Sequence, residues 1–501
     1  MWEFELSSGD RPIGYRALVE RFGIRAISHF RWSYISMKWD KREVFCEADL
    51  LTLHFYPPSY AIEDEPFRHL EFALKHEGIH LFILKRTLEL LGADVLTRWL
   101  HQAPTSKYTR ILWFLYEHFF STQLDLPDLK RGSYVSFVDP EEYYTALPER
   151  SVRHRVLSYL PGPFSFCPLV RKTKLLQAFE AKKLAEKASV LASAYSPEVL
   201  ARAMQYLYTK ETRSSWEIER EQPDKIRLAR FATLLQKASQ IGPLSKGMLI
   251  DLQKAIVDSR FAASDYRDFQ NYVGEERRLG EVTIHYLAPR PADVELLMQG
   301  LLHYFDRMAA SNCCPVISAA VLSFGFVFIH PFEDGNGRLH RFLIHYALAR
   351  SGFTPPQVVF PISATMVREL RAYDAALESF SVPLKTQISR FELSPRGELT
   401  ILEDTADYYR YMDLTHIAEY LFSCVEKTID VDFREELQFL TQYYEIKKRL
   451  KEIVDMPDSK LDLFIQCVRQ NQGHLSAKKR ESHFDMLTES EIQHMEQIIN
   501  G

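Results

Sequence analysis

A mainly α-helical fold with a short β-hairpin is predicted from three stretches of the 501-residue sequence. Pro315 opens the run VISAAVLSFGFVFI, Val316 to Ile329, which is apolar on every side and so reads as a buried helix. It is too short, and too interrupted by serine, to be a membrane span. Arg338 to Arg350 resumes a helical period, with Leu339, Phe342, Leu343 and Tyr346 on one side. The third stretch, VTIHYL from Val282 to Leu287, has the β-branched and aromatic content of an exposed edge strand.

The remaining elements follow in chain order. Residues 1 to about 60 have no clear period. Phe67 to Leu100 is helical in pattern, with Gly92 as a helix C-cap, and Arg110 to Phe120 is a second apolar helix. Residues 121 to 170 are rich in proline and glycine, with Ser133 to Val138 as the best strand there. Lys172 to Leu191 returns to helix. Ser196, Pro197 and Glu198 make a helix start: a capping hydroxyl, a proline at the first position and an acid in the first turn. After about residue 386 the chain is polar and helical, over Tyr408 to Tyr420, Val431 to Val454, Leu461 to Val468 and a closing helix.

Composition excludes several classes. Apolar residues make up 46% and charged ones 26%, as in a folded, water-soluble chain. A net charge of -5 does not suit a nucleic-acid surface, and Lys478, Lys479 and Arg480 read as a solvated face. The six cysteines show neither metal-ligand spacing nor a disulfide framework. The start MWEFELSSGDRP lacks the features of a secretory leader, so a cytoplasmic location is expected, with no membrane partner.

The chemistry gathers in residues 330 to 341, HPFEDGNGRLHR, a loop between the two core helices. A helix start offers backbone N–H groups and the positive end of the dipole to anions such as phosphates. Gly335 and Gly337 allow close approach. Asn336 can cap the helix or bond a phosphate oxygen. Arg338 and Arg341, three apart, offer forked donors to phosphate. Asp334 is a hard oxygen ligand of the kind Mg²⁺ takes beside phosphates. His330 has the near-neutral pKa a general base requires.

This run resembles the Fic signature H-x-F-x-[DE]-G-N-G-R-x-x-R at every fixed position, a coincidence on the order of one in 10¹⁰ per site at ordinary residue usage. The segment around Ser215 and Glu219 is similar to the family's inhibitory motif [ST]-x-x-x-E-[GN], except that Arg220 replaces the usual Gly or Asn. Arg267 to Gly274 with Val282 to Pro289 resembles the family's flap, whose edge takes up a target segment by strand addition. The resemblance covers about residues 205 to 380. It implies four segments: 1–195, a mostly helical N-terminal domain; 196–222, an inhibitory helix region; 223–385, the Fic catalytic core; and 386–501, a C-terminal helical domain.

It also implies a reaction. AMP would pass from ATP to a Ser, Thr or Tyr hydroxyl of a target protein, this chain itself included, with Mg²⁺ held by Asp334. Gly335, Asn336, Gly337 and Arg338 would hold the α- and β-phosphates, Arg341 the γ-phosphate, and His330 would take the hydroxyl proton. Tyr373 would lie near the nucleotide. Glu219 would pair with Arg341 and occupy the γ-phosphate place, making the protein self-inhibited. Gly337 stands where Doc-like kinases carry lysine. A homo-oligomer stays open. So do three alternatives: removal of AMP by the same site, a non-catalytic binding module, and a zinc hydrolase. The last would use the H-E-x-x-H match His76 to His80, with Glu117 or His118 as third ligand, although Gly78 weakens a helix there by about 1 kcal/mol.

Overall fold

The structure, a computed structural model, describes residues 9–39, 41–46, 51–276, 282–356, 358–394 and 397–501, with only the backbone of 276 and 282. Residues 1–8, over which most of the leader expectation ran, lie outside the described residues.

The apolar run forms a core helix, Pro315–Ile329, in which every residue from Val316 on except Val327 is buried. Its serines do not break it, because Ser323 Oγ donates to Ala319 O at 2.7 Å within the same helix. A motif helix, Asn336–Arg350, returns from the loop and packs along it. Helices Pro291–Ala310 and Thr415–Lys427 pack on the core helix as well. Phe166, fully buried, sets its ring against Gly325 and its Cβ against Gly300. A Cβ at Gly325 would stand 2.8 Å from Phe166 Cζ and 3.0 Å from Leu301 Cδ1, so glycine is what lets this ring in.

A long cover helix, Pro197–Ile218, starts at the expected cap, where Ser196 Oγ accepts from Val199 N. It is anchored at mid-length. Lys210 Nζ reaches Asp432 Oδ1 at 2.7 Å. The fully buried Glu211 meets His345 Nε2 at 2.7 Å and accepts from Ser363 N at 2.7 Å. Asp432 sits in a π-helical turn, Thr428–Phe433, that leads into the helix Arg434–Ile453.

The hairpin pairs Tyr272–Glu276 with Val282–Leu287, antiparallel and with an irregularity at Val273/Gly274. The strand expected to be exposed is the more covered of the two. Ile284, Tyr286 and Leu287 are buried, the helix Leu370–Gln387 packs on that strand, and Lys385 Nζ donates to Ile284 O at 2.6 Å. Val273, Gly274 and Glu275 of the other strand lie exposed.

Towards the N-terminus a four-stranded sheet, which the sequence did not announce, runs in the order Arg11–Ile13, Arg31–Ile35, Leu51–Tyr56, Arg42–Cys46, with its middle pair parallel. The predicted helix from Phe67 breaks in two, Pro66–His76 and Leu81–Gln102. The break falls inside the H-E-x-x-H run, which overturns the zinc reading. Glu77 caps the first helix, Gly78 takes φ 92°, and His80 caps the second, so the two histidines are not one turn apart. Their groups are also engaged. His80 Nδ1 accepts from Ile83 N and its Nε2 faces Ile27 O, while Glu77 accepts from Tyr15 N at 2.7 Å. Among the described residues no three potential ligands form a metal cluster. Gly92 (φ 76°, ψ 168°) interrupts the second helix without ending it.

Three further helical expectations are interrupted: by Lys183 at φ 49°, by the turn between Arg410 and Thr415, and by the π-helical turn. A hairpin, Phe391–Leu393 with Leu399–Ile401, was also not foreseen. One hydrophobic cluster is continuous from Tyr15 to Leu437; a second, from Leu450 to Ile499, holds the end of the helix Arg434–Ile453 and the helices Asp458–Gln470 and Glu489–Asn500 together. Lys478 and Lys479 are solvated, as expected. No described helix is long and apolar enough to cross a membrane.

Gly325→Ala should destabilise the protein by about 1–3 kcal/mol, because the core has no room for the methyl group. Urea unfolding should show a lower midpoint at unchanged slope.

Candidate active site

The loop leaves the core helix through His330, which adopts left-handed backbone angles (φ 53°, ψ 58°) as that helix's C-cap, its N–H donating to Phe326 O at 2.9 Å. His330 Nδ1 lies 3.1 Å from Val327 O, and a carbonyl only accepts, so Nδ1 carries the proton and Nε2 is the basic nitrogen. Burial pushes the imidazole pKa down to about 4, and the Arg267 cation adds to the shift against the opposing Glu219 and Asp334 carboxylates. At neutral pH the ring is therefore an uncharged base.

The loop is held closed by Asn336. Its Oδ1 accepts from Phe332 N at 3.0 Å and its Nδ2 donates to Phe332 O at 2.8 Å, the two backbone groups of one residue. That corrects the capping expectation: the buried Asn336 side chain makes no cap bond, and Gly335, at φ 89°, is the N-cap. Gly335 also has no space for a side chain, since a Cβ would meet Val257 Cγ1 at 2.7 Å. Asp334 Oδ1 accepts from Gly335 N and from Arg338 Nη2, each at 2.6 Å.

Arg338 and Arg341 lie in the first turns of the motif helix, each only 1% exposed. Arg338 Nη1 reaches Glu221 Oε2 at 3.0 Å, and its guanidinium lies over the buried Trp216 ring, 5.6 Å from the centroid. Arg341 donates from Nε to Ser215 Oγ (2.8 Å) and from Nη2 to Ser215 O (2.7 Å) and Glu219 Oε1 (2.6 Å). Both guanidinium groups keep a buried nitrogen without an acceptor, Arg338 Nε and Arg341 Nη1. Two buried cations with spare donors at a helix start are chemically an anion site. Gly337 lies beneath the Glu219 carboxylate so closely that any side chain there would collide with it.

Tyr373 is buried behind Arg341, near-parallel to the His340 ring at 6.3 Å; burial raises its phenol to about 12 against the pull of the Arg341 cation. A metal would find one suitable carboxylate, Asp334, whose side chain is 38% exposed at the loop. This fits an ion that takes most of its ligands from phosphates and water.

Sequence reasoning missed three participants. Glu221 follows the inhibitory motif by two residues and carries no motif signal of its own. Glu211 and Arg267 are invisible as site residues because nothing in a sequence marks a charge for burial. The deviation at Arg220, by contrast, has a structural meaning. Arg220 is at φ 56°, its N–H bonds Glu217 O, and Glu221 N bonds Trp216 O, the paired bonds of a Schellman cap. That position favours glycine or asparagine, and an arginine holds it under strain.

The helix hairpin, its loop and the neutral histidine lie within a segment that is similar to a known domain family. Residues 243–348 match the Fic/DOC family, and the chain carries a Fic domain there. Over 88 residues it is 39% identical to the protein adenylyltransferase Fic of Drosophila grimshawi and, equally, to that of Drosophila melanogaster. Each alignment covers 18% of this chain and 18% of the relative, so the chain spans about a fifth of those curated relatives. Among solved structures, a Fic domain containing signaling protein from Bacteroides thetaiotaomicron covers 51% of this chain and 96% of its own at 21% identity and a TM-score of 0.37. Fic-1 from C. elegans covers 74% and 92% at 15% identity and a TM-score of 0.35. Glu219 and Tyr373 fall outside the matched residues.

Arg220→Gly should relieve the strained cap and raise stability by about 1 kcal/mol, seen as a higher calorimetric midpoint.

Proposed function

We propose that the protein transfers AMP from ATP to a hydroxyl side chain of a protein and that its C-terminal turn of the cover helix holds it inhibited. The observation that carries this reading is the pair of buried arginines, Arg338 and Arg341, each neutralised by a carboxylate from one segment, Glu221 and Glu219, where phosphates would otherwise sit. Carboxylate and phosphate compete for the same forks of donors.

In the active state the first backbone amides of the motif helix and Arg338 take the inner phosphates, and Arg341 takes the outermost one. Asp334 would hold a Mg²⁺ ion, which when bound supplies positive charge against the phosphates. His330, neutral and with Nε2 unprotonated, accepts the proton of the attacking hydroxyl as its oxygen bonds the α-phosphorus and pyrophosphate departs. Positioning and electrostatics account for the rate, with no covalent intermediate on the protein. The target is presented by the hairpin, through its exposed Tyr272–Glu276 strand, and could be another copy of this chain. We place the enzyme in the cytoplasm, and its net charge of -5 accords with a protein that binds no nucleic acid.

Incubation with α-³²P-ATP and Mg²⁺ tests the reading. Glu219→Gly removes a charge-assisted hydrogen bond worth about 1.5–3 kcal/mol, so ATP affinity should rise roughly 10- to 100-fold and label should appear on protein. Glu221→Gln, freeing the more exposed pair, should add about a further two- to fivefold. His330→Ala in the Glu219→Gly background should abolish transfer while ATP still binds. Label released from premodified protein by the unaltered chain, and lost in Glu219→Gly, would instead mean AMP removal.

A base that is uncharged down to about pH 4 gives a definite sign to the pH dependence. The acid limb of transfer should lie below the free-imidazole value of about 6.5, with activity lost as pH falls rather than as it rises. Initial rates of the Glu219→Gly variant between pH 4 and 8 check it.

A further inference from the structure

Arg267 is a buried guanidinium, 6% exposed, and its recorded hydrogen bonds all go to backbone carbonyls. Burying a cation with carbonyl partners alone is costly, and it persists only where the surrounding structure demands it. Burial pushes its pKa down to about 10, so it remains charged at neutral pH. What it holds falls into two groups. Towards the loop, Nε donates to His330 O at 2.7 Å, Nη2 to Ile329 O at 3.3 Å, and its own backbone N–H to Pro331 O at 2.8 Å. Towards the hairpin, Nη1 donates to Phe269 O at 2.8 Å and Nη2 to Pro289 O at 2.7 Å, the entry and the exit of the two strands. Gln270 Nε2, bonded to Ala288 O at 2.7 Å, closes the hairpin base beside it, and Asn271 Nδ2 reaches Phe332 O at 3.3 Å as a second strap.

We propose that Arg267 is a positioning residue that couples the seating of a target on the hairpin to the orientation of His330. This rests on the reading of His330 as the base. The left-handed turn at His330 points the ring, and the carbonyl that leaves that turn is the one Arg267 Nε holds. A displacement of the hairpin is passed through a rigid planar fork to the histidine, and a lysine, with donors radiating from one point, cannot span the same carbonyls. The groups with charge acting on His330 are Arg267 from the hairpin base, Glu219 from the cover helix and Asp334 from the loop. Removing the Arg267 charge therefore favours the protonated imidazole.

The test uses the full chain in the Glu219→Gly background, with Arg267→Lys keeping the charge and Arg267→Gln removing it. Three quantities are read: binding of a fluorescent ATP analogue with Mg²⁺, the rate of label transfer against pH, and the ¹⁵N-histidine spectrum of His330, assigned with His330→Gln. Arg267→Lys should bind nucleotide within twofold of its parent and transfer at least tenfold more slowly. Arg267→Gln should also move the His330 titration and the acid limb to higher pH. Transfer within twofold of the parent in both variants would overturn the proposal. So would nucleotide binding and melting temperature falling in step with transfer, since that describes scaffold damage alone. If the Glu219→Gly parent transfers no label, the proposed reaction fails, and the imidazole decides separately. An unchanged Nδ1–H tautomer and titration in both variants would then end the positioning role, and a changed tautomer would retain it.

Discussion

A guanidinium out of contact with water must be surrounded by oxygen, and this molecule contains three such groups within one site. Arg338 and Arg341 are each 1% exposed and Arg267 6%. The burial follows from the core helix: because Val316 to Ile329 is apolar on all sides, neighbouring helices close over it and leave the motif helix little surface of its own. Whatever oxygen reaches Arg338 and Arg341 is then worth far more than it would be in water. Carboxylates of the cover helix supply that oxygen here, and phosphates are the natural replacement. For Arg267 no exchange is available, because its acceptors are peptide carbonyls fixed in the chain.

The difference separates two kinds of cation with the same side chain. Those whose partners can leave are suited to binding, and the one whose partners cannot leave is suited to transmission. The histidine sits between them, kept neutral by burial and held at the end of the core helix by its left-handed backbone. Asn336 belongs with Arg267: it binds both backbone groups of Phe332 and makes the loop a closed unit.

The parts of this arrangement visible in the sequence are those with local causes. A continuous apolar run, a Ser-Pro-Glu helix start and a Gly-Asn-Gly turn act over a few residues, and the elements appear where these place them. The pairing of Glu219 with Arg341 was also foreseen, through the motif. What escaped depends on distant partners. The N-terminal sheet joins short strands whose alternation is blurred by burial, Ser33 and His54 among the inward residues. The run His76 to His80 has the spacing of a metal pair but holds a glycine at φ 92°, and the helix that the pairing needs stops there. Glu211 and Arg267 are ordinary polar letters until the fold buries them, and the bonds of Asn336 to its own loop depend on a turn that the sequence does not spell out.

The mid-length anchors of the cover helix limit how the proposed inhibition can be relieved. Lys210 is tied to Asp432, and Glu211 is locked without exposure between His345 and Ser363. Swinging the whole helix away would strand a buried carboxylate. Only the stretch beyond Trp216 can let go cheaply, and it ends in an arginine forced into a glycine-like conformation. On the proposed reading the gate is the fraying end of a fixed rod, pre-loaded at its last turn, and its set point is a matter of local helix stability rather than of domain movement.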